Sequence, residues 1–121
     1  MRRVPRLLVL AAVAALTVPA GAAAASATTV GFVLAPGRIV RGGLAHLAVR
    51  VGHASACTLG VRYHGGTVQR GLGRVQVIGG FAQWMWEIPT TVQAGAATAS
   101  VRCAGTSVSR RFVVVGLVPA P

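Results

Sequence analysis

The stretch FAQWMWEI, residues 81–88, contains both tryptophans of the chain and its only acidic residue. With the two-residue period of a β-strand, Trp84, Trp86 and Ile88 share one face, and the side chains between them share the other. Two large aromatic side chains on one face of a strand are the natural centre of a small β core. We therefore expect residues 81–88 to form the strand around which the domain packs.

The first 27 residues have the composition of a secretory signal peptide. A basic start precedes an apolar run over residues 7–18, and A-x-A cleavage sites follow. Cleavage is expected after Ala25 or Ala27, which leaves residues 28–121 as a single modest domain. An uncleaved membrane anchor is the alternative, because residues 7–37 carry no charge and are long enough to span a bilayer. The cleavage sites favour export, and we expect a secreted or cell-envelope protein with no membrane span after signal cleavage.

The rest of the chain alternates between apolar and polar residues in short segments separated by glycine- and proline-rich turns. About seven strands at this spacing, with no sustained helical period, predict an all-β sandwich. Residues 67–74 are weakly patterned and are expected to form a loop, and a tight hairpin turn at Gly79-Gly80 is expected to lead into the tryptophan strand. Val30, Phe32 and Leu34 are expected to share one face of the first strand. The remaining positions expected to face inward are Ala45, Leu47, Val49, Val51, Cys57, Leu59, Val61, Tyr63, Ala97, Ala99, Val101, Cys103, Phe112 and Val114.

Cys57 and Cys103 are the only cysteines, and both lie in the part of the chain that would be exported. An even count in an exported protein favours a disulfide. The bond would close a loop of about 46 residues and add roughly 4 kcal/mol to stability in the chain-entropy model. A redox or metal-binding pair is the alternative, but the wide spacing and the lack of a C-x-x-C motif argue against it.

Four segments, taken together, resemble the small secreted immunoglobulin-like domains of bacterial surface and exported proteins. They are Gly42-Gly43 before an alternating strand, CTLGVRY (57–63), WMWEIP (84–89) and VRC (101–103). The resemblance spans residues 35–115 and implies an immunoglobulin-like β-sandwich without shared catalytic residues. It departs from the antibody pattern, in which the disulfide joins the second and sixth strands and a tryptophan lies on the third.

The side chains available for chemistry are few. Glu87 is the only carboxylate side chain, so hydrolysis by a carboxylate pair is excluded within this chain. A Ser-His-Asp triad lacks its acid unless Glu87 serves in that role. His46, His53 and His64 fall on a strand and in two separate turns, so we do not expect them to converge on a metal. We expect no catalytic residues and no cofactor.

Arginine supplies all the formal positive charge of the side chains, since the sequence contains no lysine and histidine is counted as neutral. Residues 28–121 carry nine arginines and one glutamate, a formal charge of +8. Arg62, Arg102, Arg110 and Arg111 are expected on or near one sheet face, where a basic stripe would attract polyanions. The alternatives are a charged surface that only prevents aggregation and a codon bias towards arginine. Sequence-specific recognition of nucleic acid is not expected, because Tyr63 and Phe112 alternate inward.

These observations predict a secreted, non-enzymatic immunoglobulin-like domain that serves as a structural or interaction module. Its partner would be a protein or a cell-surface polymer. The alternative function is electrostatic binding of an anionic polymer, such as a cell-wall polymer, acidic lipid or DNA, through an arginine-rich sheet face.

Overall fold

Eight strands make up most of the computed structural model, which describes residues 27–116. The predicted signal peptide, apart from its last residue, lies outside the described residues. The strands are β1 (Thr29–Leu34), β2 (Arg38–Val40), β3 (Leu44–Gly52), β4 (Ala56–His64), β5 (Arg74–Gln76), β6 (Phe81–Glu87), β7 (Gln93–Cys103) and β8 (Thr106–Val115).

The strands form two sheets that pack face to face. One sheet has the order β1-β3-β6 and the other the order β2-β8-β7-β4-β5. The pairs are antiparallel except for β2, which runs parallel to β8. In this order β3 and β6 take the places of immunoglobulin strands B and E, and β4, β7 and β8 take those of C, F and G. The predicted immunoglobulin-like β-sandwich is confirmed.

The chain crosses from one sheet to the other between β1 and β2. The pairing of β1 with β3 shifts register between Phe32 and Leu34, and Ala35-Pro36-Gly37 then separates the two strands. The irregularity leaves Leu34 exposed at 45% of its surface. The prediction that Leu34 shares a face with Val30 and Phe32 is therefore wrong, because a bulge breaks the strict alternation on which it rested.

The tryptophan strand lies at the core, as predicted. Only 5% of Trp84 and 6% of Trp86 are exposed, and Ile88 is fully buried. The inward faces of β3, β4, β7 and β8 pack against them with the alternation expected from the sequence. Truncating a buried aromatic residue of this size lowers the free energy of unfolding by about 3–5 kcal/mol. The tryptophan strand is therefore a major contributor to the stability of the sandwich.

The polar atoms of the core aromatics are hydrogen-bonded. The Trp86 indole Nε1 donates to Tyr63 Oη at 3.0 Å, and Tyr63 Oη donates to Gln69 Oε1 at 2.6 Å. Burial raises the pKa of Tyr63, and the hydrogen bond with Trp86 opposes that rise. Trp84 Nε1 reaches the Gly73 carbonyl at 3.4 Å. The segment 67–74, expected to be a loop, thus satisfies buried donors that would otherwise cost about 1–3 kcal/mol each.

Gly79 and Gly80 make the predicted tight turn before β6. Both have positive φ angles, 62° and 84°, which residues other than glycine rarely adopt. The flanking residues Ile78 and Phe81 exchange backbone hydrogen bonds of 2.8 and 3.1 Å. The turn carries the chain from the five-stranded sheet, where β5 pairs with β4, to the three-stranded sheet.

Cys57 and Cys103 form the predicted disulfide. They face each other directly in the β4–β7 ladder, with their Cα atoms 4.3 Å apart. The bond therefore links neighbouring strands of one sheet, whereas the antibody bond joins two sheets. It ties together residues 46 positions apart in the sequence.

Replacing both cysteines, Cys57→Ala with Cys103→Ala, should lower the free energy of unfolding by about 4 kcal/mol, because the unfolded chain regains the freedom of the closed loop. Urea denaturation followed by tryptophan fluorescence measures the change. A matched double change at exposed positions, Thr58→Ala with Ser107→Ala, should cost much less. An unchanged unfolding midpoint in the cysteine-free protein would contradict the stabilising role of the bond.

Candidate functional site: the basic face of the five-stranded sheet

The outer face of the five-stranded sheet carries five exposed arginines, and we call it the basic face. Its residues are fixed by alternation: Leu59 and Val61 of β4 are buried, so Thr58, Gly60 and Arg62 point outward. The same alternation places one arginine from each of the other four strands on this side. The five arginines are Arg38, Arg62, Arg74, Arg102 and Arg111.

Four of these arginines lie in two rows that run across the strands. The row nearer the disulfide contains Arg74, Thr58, Arg102 and Ser107, which face one another across β5, β4, β7 and β8. The far row contains Arg62, Thr98 and Arg111 on β4, β7 and β8. Arginines within a row are two strands apart, about 10 Å, and the two rows are four residues apart, about 13 Å.

Between the two rows lies a line of small residues, which we call the trough. Its floor consists of Gly60, Ser100 and Ser109, which face one another across β4, β7 and β8. At the β4 end the trough opens into a groove of about 360 Å³, lined by Gly60, Val61, Arg62, Val68, Thr98 and Ser100.

Hydroxyl groups accompany the arginines on this face. The Ser100 and Ser109 hydroxyls are 2.9 Å apart and share one hydrogen bond. Only one of the two hydroxyl hydrogens is used in that bond, so the other remains free to donate. A second, smaller depression of about 190 Å³ lies beside the disulfide and is lined in part by Thr58, Arg74 and Arg102.

The charge of the basic face is uncompensated by any carboxylate side chain. The only acidic side chain of the protein, Glu87, lies at the end of β6 in the other sheet. Arginines whose backbones lie about 10 Å apart are separated by roughly one Debye length at physiological salt, so their potentials partly add. The face is suited to attract anions, and its arginines can each offer a planar fork of donors to phosphate or carboxylate.

The four arginines singled out from the sequence are not all on this face. Arg62, Arg102 and Arg111 are brought together there. Arg110 pairs with Ala99, whose side chain is buried, and its guanidinium lies 5.6 Å from the centre of the Phe32 ring of β1. Arg110 therefore lies on the inner side of β8. Its neighbour Arg111 points to the opposite side, because successive residues of a strand alternate between the two faces of the sheet.

Other arginines have different surroundings. Arg50 lies on the outer face of the three-stranded sheet, 4.9 Å from the centre of the Phe81 ring. Arg41 is half-buried and donates from Nη1 to the Val92 carbonyl at 3.2 Å. These contacts give Arg41 and Arg50 structural roles outside the basic face.

The histidines and core aromatics occupy separate places. His46 lies 3.0 Å from Gln83 on the three-stranded sheet, His53 is in a turn with φ of 63°, and His64 ends β4. Within residues 27–116, no three histidine, cysteine or acidic side chains come together as a metal site would require. Tyr63 and Phe112 are buried edge to face at 6.5 Å, which keeps both rings away from the basic face.

Sequence reasoning missed two parts of the basic face. Arg74 was expected in a loop, but it begins β5 and joins the row of Arg102. The trough was also missed, because three small residues far apart in the sequence become neighbours only through the strand register. The only indication of the trough in the sequence was a glycine, Gly60, at an outward position of an alternating strand.

No protein-family model matches the chain, and no curated protein matches it. Among solved structures, a chain of the titin–obscurin-like 1 immunoglobulin complex is 20% identical, with a TM-score of 0.47, over 78% of this chain and 100% of that one. The immunoglobulin-like domain of human leucine-rich repeat-containing protein 4 is 16% identical, with a TM-score of 0.43, over 80% and 95%.

Part of amylomaltase from Corynebacterium glutamicum is also similar, at 15% identity and a TM-score of 0.47. The match covers 67% of this chain but only 12% of that enzyme. At these levels of similarity no function is transferred, and the immunoglobulin-like fold is established by the strand order and pairing described above. Among residues 27–116, no helix has the length and hydropathy needed to cross a membrane.

Proposed function

We propose that this chain is an exported, non-enzymatic immunoglobulin-like domain that acts as an interaction module outside the cell or in the cell envelope. The observation that carries the proposal is a disulfide-bonded sandwich with an exposed sheet face that carries five arginines. Disulfides persist in oxidising compartments, and the pattern of residues 1–27 is typical of a cleaved export signal. The single carboxylate of the chain supports binding rather than acid–base catalysis.

Expression of the full chain in a bacterium with an intact secretion pathway tests export. Intact-mass analysis should find protein outside the cytoplasm that has lost residues 1–25 or 1–27 and contains an oxidised cysteine pair. The control variant Leu10→Arg interrupts the apolar run and should keep the chain uncleaved. An uncleaved wild-type chain with free thiols in the cytoplasm would contradict the proposal.

A second candidate function, electrostatic binding of an anionic polymer, is favoured by the basic face. The two arginine rows and the hydroxyl groups between them present donors and positive charge on one side of the sandwich. Cell-wall polymers, acidic lipids and DNA all carry the required charge. Binding of this kind releases counterions and weakens as salt is raised.

Binding of a single-stranded thymidine oligonucleotide, measured by fluorescence anisotropy over a range of salt concentrations, tests this function. The double variant Arg62→Gln with Arg102→Gln should bind more weakly and reduce the slope of log affinity against log salt by about 1.4, or about 0.7 per lost contact. The matched variant Arg50→Gln with Arg110→Gln removes the same charge away from the basic face and should change the slope much less. Equal losses of affinity in the two double variants would contradict a specific role of the basic face, because binding would then depend only on net charge.

A further inference from the structure

We propose that the trough on the basic face binds one extended chain of a phosphodiester polymer, which lies across strands β4, β7 and β8. The inference rests on the proposed electrostatic function and adds to it the shape of the ligand and the path it takes. It predicts that the floor of the trough, which carries no charge, contributes to binding. Diffuse attraction to a basic surface makes no such prediction.

The arrangement of charge favours a ligand between the rows. Arg102 lies on one side of the trough and Arg62 and Arg111 on the other, about 13 Å apart along the strands. Arginine side chains are long, so guanidinium groups from both rows can lean over the same narrow strip. A single polymer chain in this strip meets positive charge on both sides, whereas a flat bilayer or a rigid duplex would touch mainly the rims.

The floor of the trough is open at the point where such a chain would lie closest to the backbone. A Cβ atom added to Gly60 would meet nothing within 4 Å, although the residue lies in the middle of β4. Glycine inside a strand weakens it, and it often marks a bulge, a bend or a place where a ligand or another backbone approaches closely. The pairing of β4 with β7 is regular at Gly60, which leaves close approach as the interpretation that fits. The next floor positions, Ser100 and Ser109, are also small.

The chemistry of the trough suits a phosphodiester. The free hydroxyl hydrogen of the Ser100–Ser109 pair, the Thr98 hydroxyl and the fork of Arg62 match phosphate oxygens. Val68, which is bridged to Arg62 across the edge of β4, adds an apolar wall for the carbon atoms between phosphates. A polymer that alternates anionic groups with short carbon linkers fits both features.

Filling the trough without changing the charge tests the inference. Gly60→Val should weaken binding of the single-stranded thymidine oligonucleotide by about tenfold, as expected when charge-assisted hydrogen bonds at the centre of a site are lost. Valine is favoured in strands, and the space around Gly60 accommodates it, so the fold should be retained. Ser109→Val, which fills the trough from β8, provides a second variant should Gly60→Val unfold.

The matched control is Gly31→Val on the outer face of the three-stranded sheet. Gly31 is also an exposed strand glycine with nothing within 4 Å of an added Cβ. This variant should bind the oligonucleotide as the wild type does. Thermal unfolding of all variants checks that the fold is intact.

Two further probes separate a chain in the trough from a flat or rigid anionic surface. Binding to phosphatidylglycerol vesicles and to a DNA duplex should be little affected by Gly60→Val, because these surfaces contact the rims.

If folded Gly60→Val and Ser109→Val proteins bind the single strand normally while the Arg62/Arg102 variant does not, the proposed binding in the trough is wrong and the electrostatic function stands. If neither kind of variant changes binding, the electrostatic function fails as well. Equal weakening for the single strand and the vesicles would also overturn the proposal.

Discussion

The bond between Cys57 and Cys103 is the constraint on which the described surface depends. It joins β4 and β7, two inner strands of the five-stranded sheet, at directly opposed positions. A slip of one residue in this pairing would turn every outward side chain of one strand inward. By fixing the pairing at one end, the bond also fixes which residues meet farther along the ladder, including Gly60 with Ser100. The covalent link and the basic face are therefore parts of one arrangement.

The core holds this arrangement in place from the other side. Trp84 and Trp86 of the three-stranded sheet pack against the buried faces of β4 and β7. The hydrogen bond from Trp86 to Tyr63 also couples the two sheets, and Tyr63 in turn holds Gln69 in the segment beside the trough. A surface built on strands with this support is formed before a ligand arrives. The proposed binding of an anion would then cost little ordering of the backbone, which favours affinity from a few charged contacts.

The sequence was sufficient for the core because alternation and residue type are local properties. Trp84, Trp86 and the cysteine pair could be placed correctly from period-two patterns and from the predicted export of the chain. Leu34 was misplaced because a bulge depends on how β1 meets β3, which no local pattern contains. The trough and the position of Arg74 depend on the register between strands distant in the sequence. Arg110 differs from Leu34 and Arg74 because the sequence was sufficient to place it. It lies two residues before Phe112, which was predicted to face inward, so both share the inner side of β8.

Backbone NMR during titration with the single-stranded thymidine oligonucleotide tests most directly the claim that the register of β4 and β7 creates the binding surface. Assigned amide signals report which side of the sandwich the ligand contacts. The account predicts shifts concentrated at Gly60, Arg62, Ser100 and Arg102, with β3 and β6 nearly unchanged. Shifts concentrated on β3 and β6, or spread evenly over both sheets, would contradict it.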